Sequence, residues 1–274
     1  SFTRERDILG GPGDFEGMRE EGGTHGEYPP YGLTGPASGA AMAYQRYMSL
    51  YGADTDALGE VAVAMRSHAR MNPNAVMQAP MTIEDHRATR EIVSPLRLFD
   101  CCIVSDGAVV ILITTPERAK DLAKPPVFVS GMQGIRAGRD DFIFAPPGLG
   151  INQQQPGRVT PRDRDNDALK MAGIDHGAIG GLYTYDAFTP LVLFVLERFG
   201  FCGPGEAHQF VRDGRIQLGG ELPVNTSGGL LSEAHVSGWN SIAEMVRQLR
   251  GEAGERQIPD AEHLQWGTAW GDSV

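Results

Sequence analysis

Two stretches of this chain hold residues that can move protons. The first is 219–240, GGELPVNTSGGLLSEAHVSGWN, where His235 falls six residues past the Gly228-Gly229 pair and just ahead of a helix expected over 240–249. A helix N-terminus disfavours imidazolium, so a neutral imidazole is expected there, suited to accept a proton or to donate to an oxyanion. A capping or buried histidine is the plainer alternative. Asn225-Thr226-Ser227-Gly228-Gly229 must be a tight turn, because paired glycines permit positive φ and present backbone N–H groups. The second stretch is Tyr183-Thr184-Tyr185-Asp186-Ala187-Phe188-Thr189-Pro190, where a buried strand runs into an apolar helix. Open α/β sheets bind ligands at the carboxyl ends of their strands, which places Tyr185 and Asp186 at a candidate site. A core tyrosine and a helix-capping aspartate are the competing reading.

Other spacings carry less. Gly11-Pro12-Gly13 with Gly17 is one residue too long for a dinucleotide-binding loop and follows no strand. Asp163-x-Asp165-x-Asp167 has calcium-loop spacing, but Ala168 and Ile174 stand where Gly and Glu are needed. Cys101-Cys102 has no companion motif and reads as a pair of buried thiols. Asn225-Thr226-Ser227 is a glycosylation sequon by pattern alone. No metal site is expected.

The elements that must position these residues are legible from punctuation and period. Helices are expected over 33–51 with Ser38 as cap, over 56–70 behind Asp54 or Thr55, and over 83–91 behind a Thr82/Asp85 capping box. Residues 108–114 (AVVILIT) and 127–131 read as strands buried on both faces. Further on come a Gln/Pro/Gly/Arg-rich loop at 146–164, a helix at 165–172, a strand at 179–185 and an apolar helix at 190–199 opened by Pro190 and closed by Gly200. The helix at 240–249 is amphipathic, with Ile242, Met245, Val246 and Leu249 on one face. The alternation of helices with buried strands gives an α/β class.

The 274 residues are 41% hydrophobic, enough for a real core, and 24 Lys and Arg against 35 Asp and Glu leave a net charge of −11. That balance argues against nucleic acid and anionic membrane surfaces as partners. No apolar run approaches the ~20 residues of a membrane span. Three cysteines and no signal-peptide pattern point to the reduced cytoplasm. The glycine-rich first thirty residues read as irregular loop.

In the segments NPNAVMQAPMTIEDHRATREIVSPLRLFDCCIVSDGAVVILIT (72–114), YTYDAFTP and PVNTSGGLLSEAHVSGWN, taken in order, the chain resembles the thiolase superfamily, in particular its lipid-transfer-protein branch. The resemblance implies a layered αβαβα fold of two similar halves, with 1–105 as the inserted loop domain and its return, 106–124 as the last strand of the N-terminal half with a linker, and 125–274 as the C-terminal half. It places the family's Gly-His-Pro histidine on His235, with the flanking Gly and Pro replaced. It places the Asn or His of the Asn-Glu-Ala-Phe motif on Tyr185, as in the aldolases that cleave steroid side-chain acyl-CoAs, which are similar in the Ser-Glu-Ala stretch too but carry Tyr where His235 stands. Asp186, Phe188, Asn225, Gly228, Gly229 and Gly267 are the implied substrate contacts. The family's second cysteine falls near Gln265–Gly267, where none stands. Its nucleophilic cysteine belongs to the first half, and Cys101, Cys102 and Cys202 do not match that position. The chain is therefore expected to lack an N-terminal segment on the order of 100 residues.

The implied activity is C–C bond cleavage or formation in a bulky acyl-CoA. The route is either thiolysis of a β-ketoacyl-CoA or retro-aldol cleavage of a β-hydroxyacyl-CoA, with coenzyme A as substrate or product and no covalently bound cofactor. A homodimer paired with a small zinc-containing OB-fold subunit of the DUF35 family is the implied assembly. A noncatalytic acyl-CoA or lipid carrier, or a scaffold subunit, is the alternative.

Overall fold

The computed structural model describes residues 35–135 and 166–274. The glycine-rich first thirty residues, the loop at 146–164 and the Asp163-x-Asp165 spacing lie outside them. Helix α1 (Pro36–Tyr51) begins on Pro36 after Gly35 and stops at Gly52, whose left-handed φ of 70° lets its N–H donate to the Met48 carbonyl. Ser38, expected as the cap, lies inside this helix and is buried. Helix α2 (Asp56–Arg70) is capped by the Asp54 carboxylate, which accepts from the Ala57 N–H at 3.1 Å. Helix α3 (Ile83–Ala88) opens with the expected capping box: Asp85 N–H donates to Thr82 Oγ1 at 3.1 Å, and Thr82 N–H donates to Asp85 Oδ2 at 2.8 Å. It is shorter than the expected 83–91, because Thr89 turns extended and the chain enters a small antiparallel hairpin, β1 (Glu91–Val93) with β2 (Leu96–Arg97).

After the short helices α4 (Pro116–Ala119) and α5 (Asp167–Ala172), the strand β3 (Ile179–Thr184) pairs in parallel with β4 (His263–Gly267), so that Thr184 stands beside Gly267. On its other edge β3 meets residues 223–225 through a parallel bridge from Leu182 to Val224. The apolar helix α6 (Thr189–Arg198) follows β3 and is buried on all sides, as a helix without a polar face must be. Short helices α7 (Ala207–Phe210) and α8 (Gly229–Ser232) lead to α9 (Trp239–Leu249), which packs across β3 and β4. Helices α1, α2 and α6 share one core in which Tyr47, Leu58, Met65, Leu191 and Val195 are shut away from solvent with Leu182 of β3. The α/β class holds.

Two expected strands are not formed. Residues 108–114 form no ladder, with Val110 94% and Ile113 84% exposed, and 127–131 is likewise unladdered, with Phe128 61% exposed. A β-branched apolar run expresses a preference for burial, but strand neighbours and two covering layers must come from other segments. Among the described residues none supplies them. Just beyond this run Gln133 is tied down, exchanging two backbone hydrogen bonds with Ser273 at 2.8 and 3.1 Å.

His68 on α2 is fully buried, and its Nε2 accepts from the Leu218 N–H at 2.9 Å. Burial holds its pKa down at about 4. The unfolded chain, with an ordinary value of about 6.5, takes up this proton first, so stability is full above that pH and is lost as the pH falls toward 4. The expected loss is roughly 3 kcal/mol. Thermal melts between pH 7 and 4 should show this slope in the wild type and a shallower one in His68→Gln, whose amide oxygen still accepts from Leu218 but does not titrate.

Candidate active site

The site grows from the carboxyl end of the parallel pair, where side chains leave a sheet whose backbone groups are already satisfied. Tyr185 is the first residue past β3. The residue before it is held by a side chain: Thr184 N–H donates to Asn225 Oδ1 at 2.9 Å, and Asn225 Nδ2 donates to the Thr184 carbonyl at 3.0 Å. Asn225 thus acts as a one-residue strand partner, and it takes a left-handed φ of 47° to do so. Its buried carboxamide is fully engaged there, which leaves no role for the sequon. The expected tight turn follows, with Gly228 and Gly229 at φ 107° and 61° and the Gly228 N–H on the Asn225 carbonyl at 2.9 Å.

That turn delivers α8 and then His235, which stands before Gly238, the cap of α9. The His235 backbone N–H donates to Ser105 Oγ at 3.2 Å. Fifty residues apart in sequence, Tyr185 and His235 meet: Tyr185 Oη lies 3.1 Å from His235 Nε2, with ring centroids 5.8 Å apart. The Tyr185 ring also lies 5.6 Å from that of Trp270, just past β4. Both members of the pair are half-buried, so each has a packed side and a reachable one. A phenol hydrogen-bonded to an imidazole is a proton relay: the hydroxyl gives its proton to Nε2 as it receives one from outside.

The implied substrate contacts stand behind this pair and turn inward. Asp186 has no exposed surface, and its Oδ1 accepts from the Leu230 N–H of α8 at 2.8 Å. Burial pushes its carboxyl up to about 7 against the pull of nearby backbone N–H groups. Phe188 is buried at the start of α6 and bridges Cys101. Gly228 packs its backbone against Ala69, and Gly267 leaves room for Phe199, whose Cε2 would lie 2.5 Å from any Cβ there. These residues, with Asn225 and Gly229, build the walls that fix the pair.

Ser105, Trp270 and the buried Glu233 are parts of the site that sequence reasoning missed. Glu233 and Trp270 are hinted at only by their closeness in sequence to His235 and to the end of β4, and nothing in the sequence pointed to Ser105, 130 residues from His235. The stretch from Cys102 to Gly107 runs along the site, with Cys102 N–H on the Ala187 carbonyl at 2.9 Å, Ile103 N–H on the Leu230 carbonyl at 3.3 Å, and Gly107 against Val236. None of the three cysteines is in a disulfide, and all are of intermediate exposure, less buried than the expected core pair. Burial raises the Cys101 thiol to about 12, which makes it a poor nucleophile. Gln265 and Trp266 occupy the positions before Gly267 where a second cysteine was sought. Among the described residues there is no group of three or more His, Cys, Asp or Glu placed to hold a metal ion, and no helix is long and apolar enough to cross a membrane.

Residues 150–269 match the thiolase C-terminal domain-like family. The chain is 39% identical over 265 residues to a steroid side-chain-cleaving aldolase of Thermomonospora curvata, covering 92% of this chain and 64% of that protein. It is 43% identical over 239 residues to a 17-hydroxy-3-oxo-4-pregnene-20-carboxyl-CoA lyase of Mycobacterium tuberculosis, covering 86% and 60%. Both alignments span less than two thirds of the curated relative's length. Among solved structures, the Ltp2–ChsH2 (DUF35) aldolase superposes with a TM-score of 0.79 at 37% identity, over 93% of this chain and 67% of that one.

Gly229 is the tightest point of the frame: its φ of 61° disfavours a side chain, and a Cβ there would run into Asp186 Oδ2. Gly229→Ala should lower stability by about 2–4 kcal/mol, from left-handed backbone strain and overpacking together. Urea denaturation of the purified protein checks this, and Gly251→Ala, with φ 68° but open space around it, should lose only the backbone share.

Proposed function

Because the chain belongs to the thiolase superfamily, in its lipid-transfer-protein branch, we propose that it acts as an acyl-CoA aldolase, with Tyr185 and His235 as its reacting pair. The observation that carries this is the 3.1 Å contact between Tyr185 Oη and His235 Nε2 at the carboxyl end of the β3–β4 pair. The substrate is a bulky β-hydroxyacyl-CoA. Tyr185 Oη takes the proton of the β-hydroxyl while its own proton passes to His235 Nε2. The oxygen's electron pair forms the carbonyl at the β-carbon, the bond between the α- and β-carbons breaks, and its electrons become the enolate of the departing thioester. The imidazolium returns the proton through Tyr185 to the α-carbon. The products are a ketone or aldehyde and a shorter acyl-CoA, and no covalent intermediate is required.

Thiolysis needs a cysteine nucleophile, and among the described residues burial makes Cys101 a poor one. The relatives named for cleaving a steroid side chain and a pregnene carboxyl-CoA favour a polycyclic acyl group in a degradative pathway. The DUF35 aldolase structure supports a DUF35-type partner for this chain; a small zinc-containing OB-fold subunit and a homodimer at the centre of the assembly are what the family resemblance adds to that reading. Residues 125–274 are assigned to the C-terminal half, 1–105 to the loop domain and its return, and 106–124 to the sequence position of the last strand of the N-terminal half and its linker, a strand that is not formed among the described residues. Cysteines outside any disulfide suit the cytoplasm.

The test is turnover of a β-hydroxyacyl-CoA by the full-length protein with its DUF35-type partner, the shortened acyl-CoA being read by mass spectrometry. Tyr185→Phe should abolish cleavage, and His235→Ala should slow it by about 10²–10³. Wild-type rates in both variants sink the assignment, and acyl-CoA binding without any turnover favours a carrier.

A further inference from the structure

His235 sits on a short connection between α8 and α9, and something must hold that connection still. The two residues before it, Glu233 and Ala234, are where the surroundings take hold. Glu233 is buried, yet its carboxylate is met from three directions. Oε2 accepts from Ser227 Oγ at 2.6 Å and from Asn240 Nδ2 at 2.8 Å, while Oε1 accepts from Asn72 Nδ2 at 3.1 Å. These donors come from separate places: Ser227 from the tight turn after Asn225, Asn240 from the first turn of α9, and Asn72 from the end of α2, 161 residues away in sequence. The backbone adds to the clamp. The Glu233 carbonyl accepts from the Val76 N–H at 3.0 Å, and Asn240 Nδ2 also reaches the Ala234 carbonyl at 3.1 Å. Asn72 closes the ring by donating to the Ser227 carbonyl at 3.0 Å.

We propose that Glu233 is a positioning residue that acts through His235: its buried carboxylate joins α2, the Asn225–Gly229 turn and α9 at one point, and so sets the distance from His235 Nε2 to Tyr185 Oη. The inference rests on the reading of Tyr185 and His235 as the reacting pair. Only a carboxylate offers two acceptor oxygens to this set of donors. A glutamine in either orientation turns an amide –NH2 toward the –NH2 of Asn72 or Asn240, so one side of the clamp must open. Opening it lets the His235 connection drift, and proton relays lose rate steeply with small displacements.

The experiment is a double-variant cycle on the full-length protein with its partner, using the acyl-CoA cleavage assay with melting temperature as a folding control. Glu233→Gln should lower kcat by about 10- to 100-fold with KM changed less than two-fold. The double variant Glu233→Gln/His235→Ala should be no slower than His235→Ala alone, because nothing remains to be positioned. A double variant slower by the product of the two single losses overturns the proposal, as does an unchanged kcat in folded Glu233→Gln. Where Glu233→Gln does not fold, Ser227→Ala carries the same cycle, with a several-fold loss of kcat expected and full kcat overturning the proposal. If His235→Ala itself keeps the wild-type rate, the reading of the reacting pair fails. If His235→Ala is slow and the cycle is multiplicative, only the role of Glu233 fails.

Discussion

The carboxamide of Asn225 carries much of this architecture. It satisfies both backbone groups of Thr184 in a place where water does not reach them. An unpaired buried amide and carbonyl would cost on the order of 1–3 kcal/mol each. Because the bond pair is made by a side chain, the chain at 225 is free to leave β3 at once and enter the turn that leads to α8. The same bonds hold the residue before Tyr185 and begin the path to His235. The two halves of the reacting pair are thus positioned from one origin, although fifty residues separate them.

Around that origin the protein uses buried polar groups where a simpler core would use aliphatic ones. Asp186 holds the first turn of α8, Asn225 holds the end of β3, and Glu233 holds the connection beyond α8. Each is buried, and each has partners from distant segments. Groups of this kind add little net stability, since their hydrogen bonds mostly replace those made to water, but they penalise every arrangement in which the partners do not meet. They trade stability for definition. The glycines at 228, 229 and 267 serve the same end by letting backbone approach Ala69, Asp186 and Phe199 more closely than a side chain allows.

The aromatic contacts complete the environment of Tyr185. His235 and Trp270 both lie against its ring, which restricts the movement of the hydroxyl beside Nε2. A fixed phenol–imidazole pair has its reorganisation done before substrate arrives, and that is the condition under which a proton relay contributes most to rate.

Local punctuation was legible in the sequence. The Thr82/Asp85 capping box, the end of the helix expected over 56–70, the glycine-bearing turn at 225–229 and the extent of α9 depend on residues within a few positions of one another, and they appear close to where those residues place them; the face of α9 that is shut away is instead Ser241, Glu244, Met245 and Gln248, with Ile242, Val246 and Leu249 only half-buried. The candidate pair was also legible, His235 as a histidine between a turn and a helix and Tyr185 as a tyrosine at a strand end. What the sequence could not express was who meets whom. The apolar runs at 108–114 and 127–131 state a preference for burial, yet burial needs neighbours that a local pattern does not name, and those residues stand exposed. The joining of Tyr185 to His235, the placing of Ser105 and Trp270 beside them, and the gathering of Asn72, Ser227 and Asn240 on Glu233 all span long sequence separations. They exist because β3 lies beside β4 and α2 packs against α6 and α8, which only the folded chain decides.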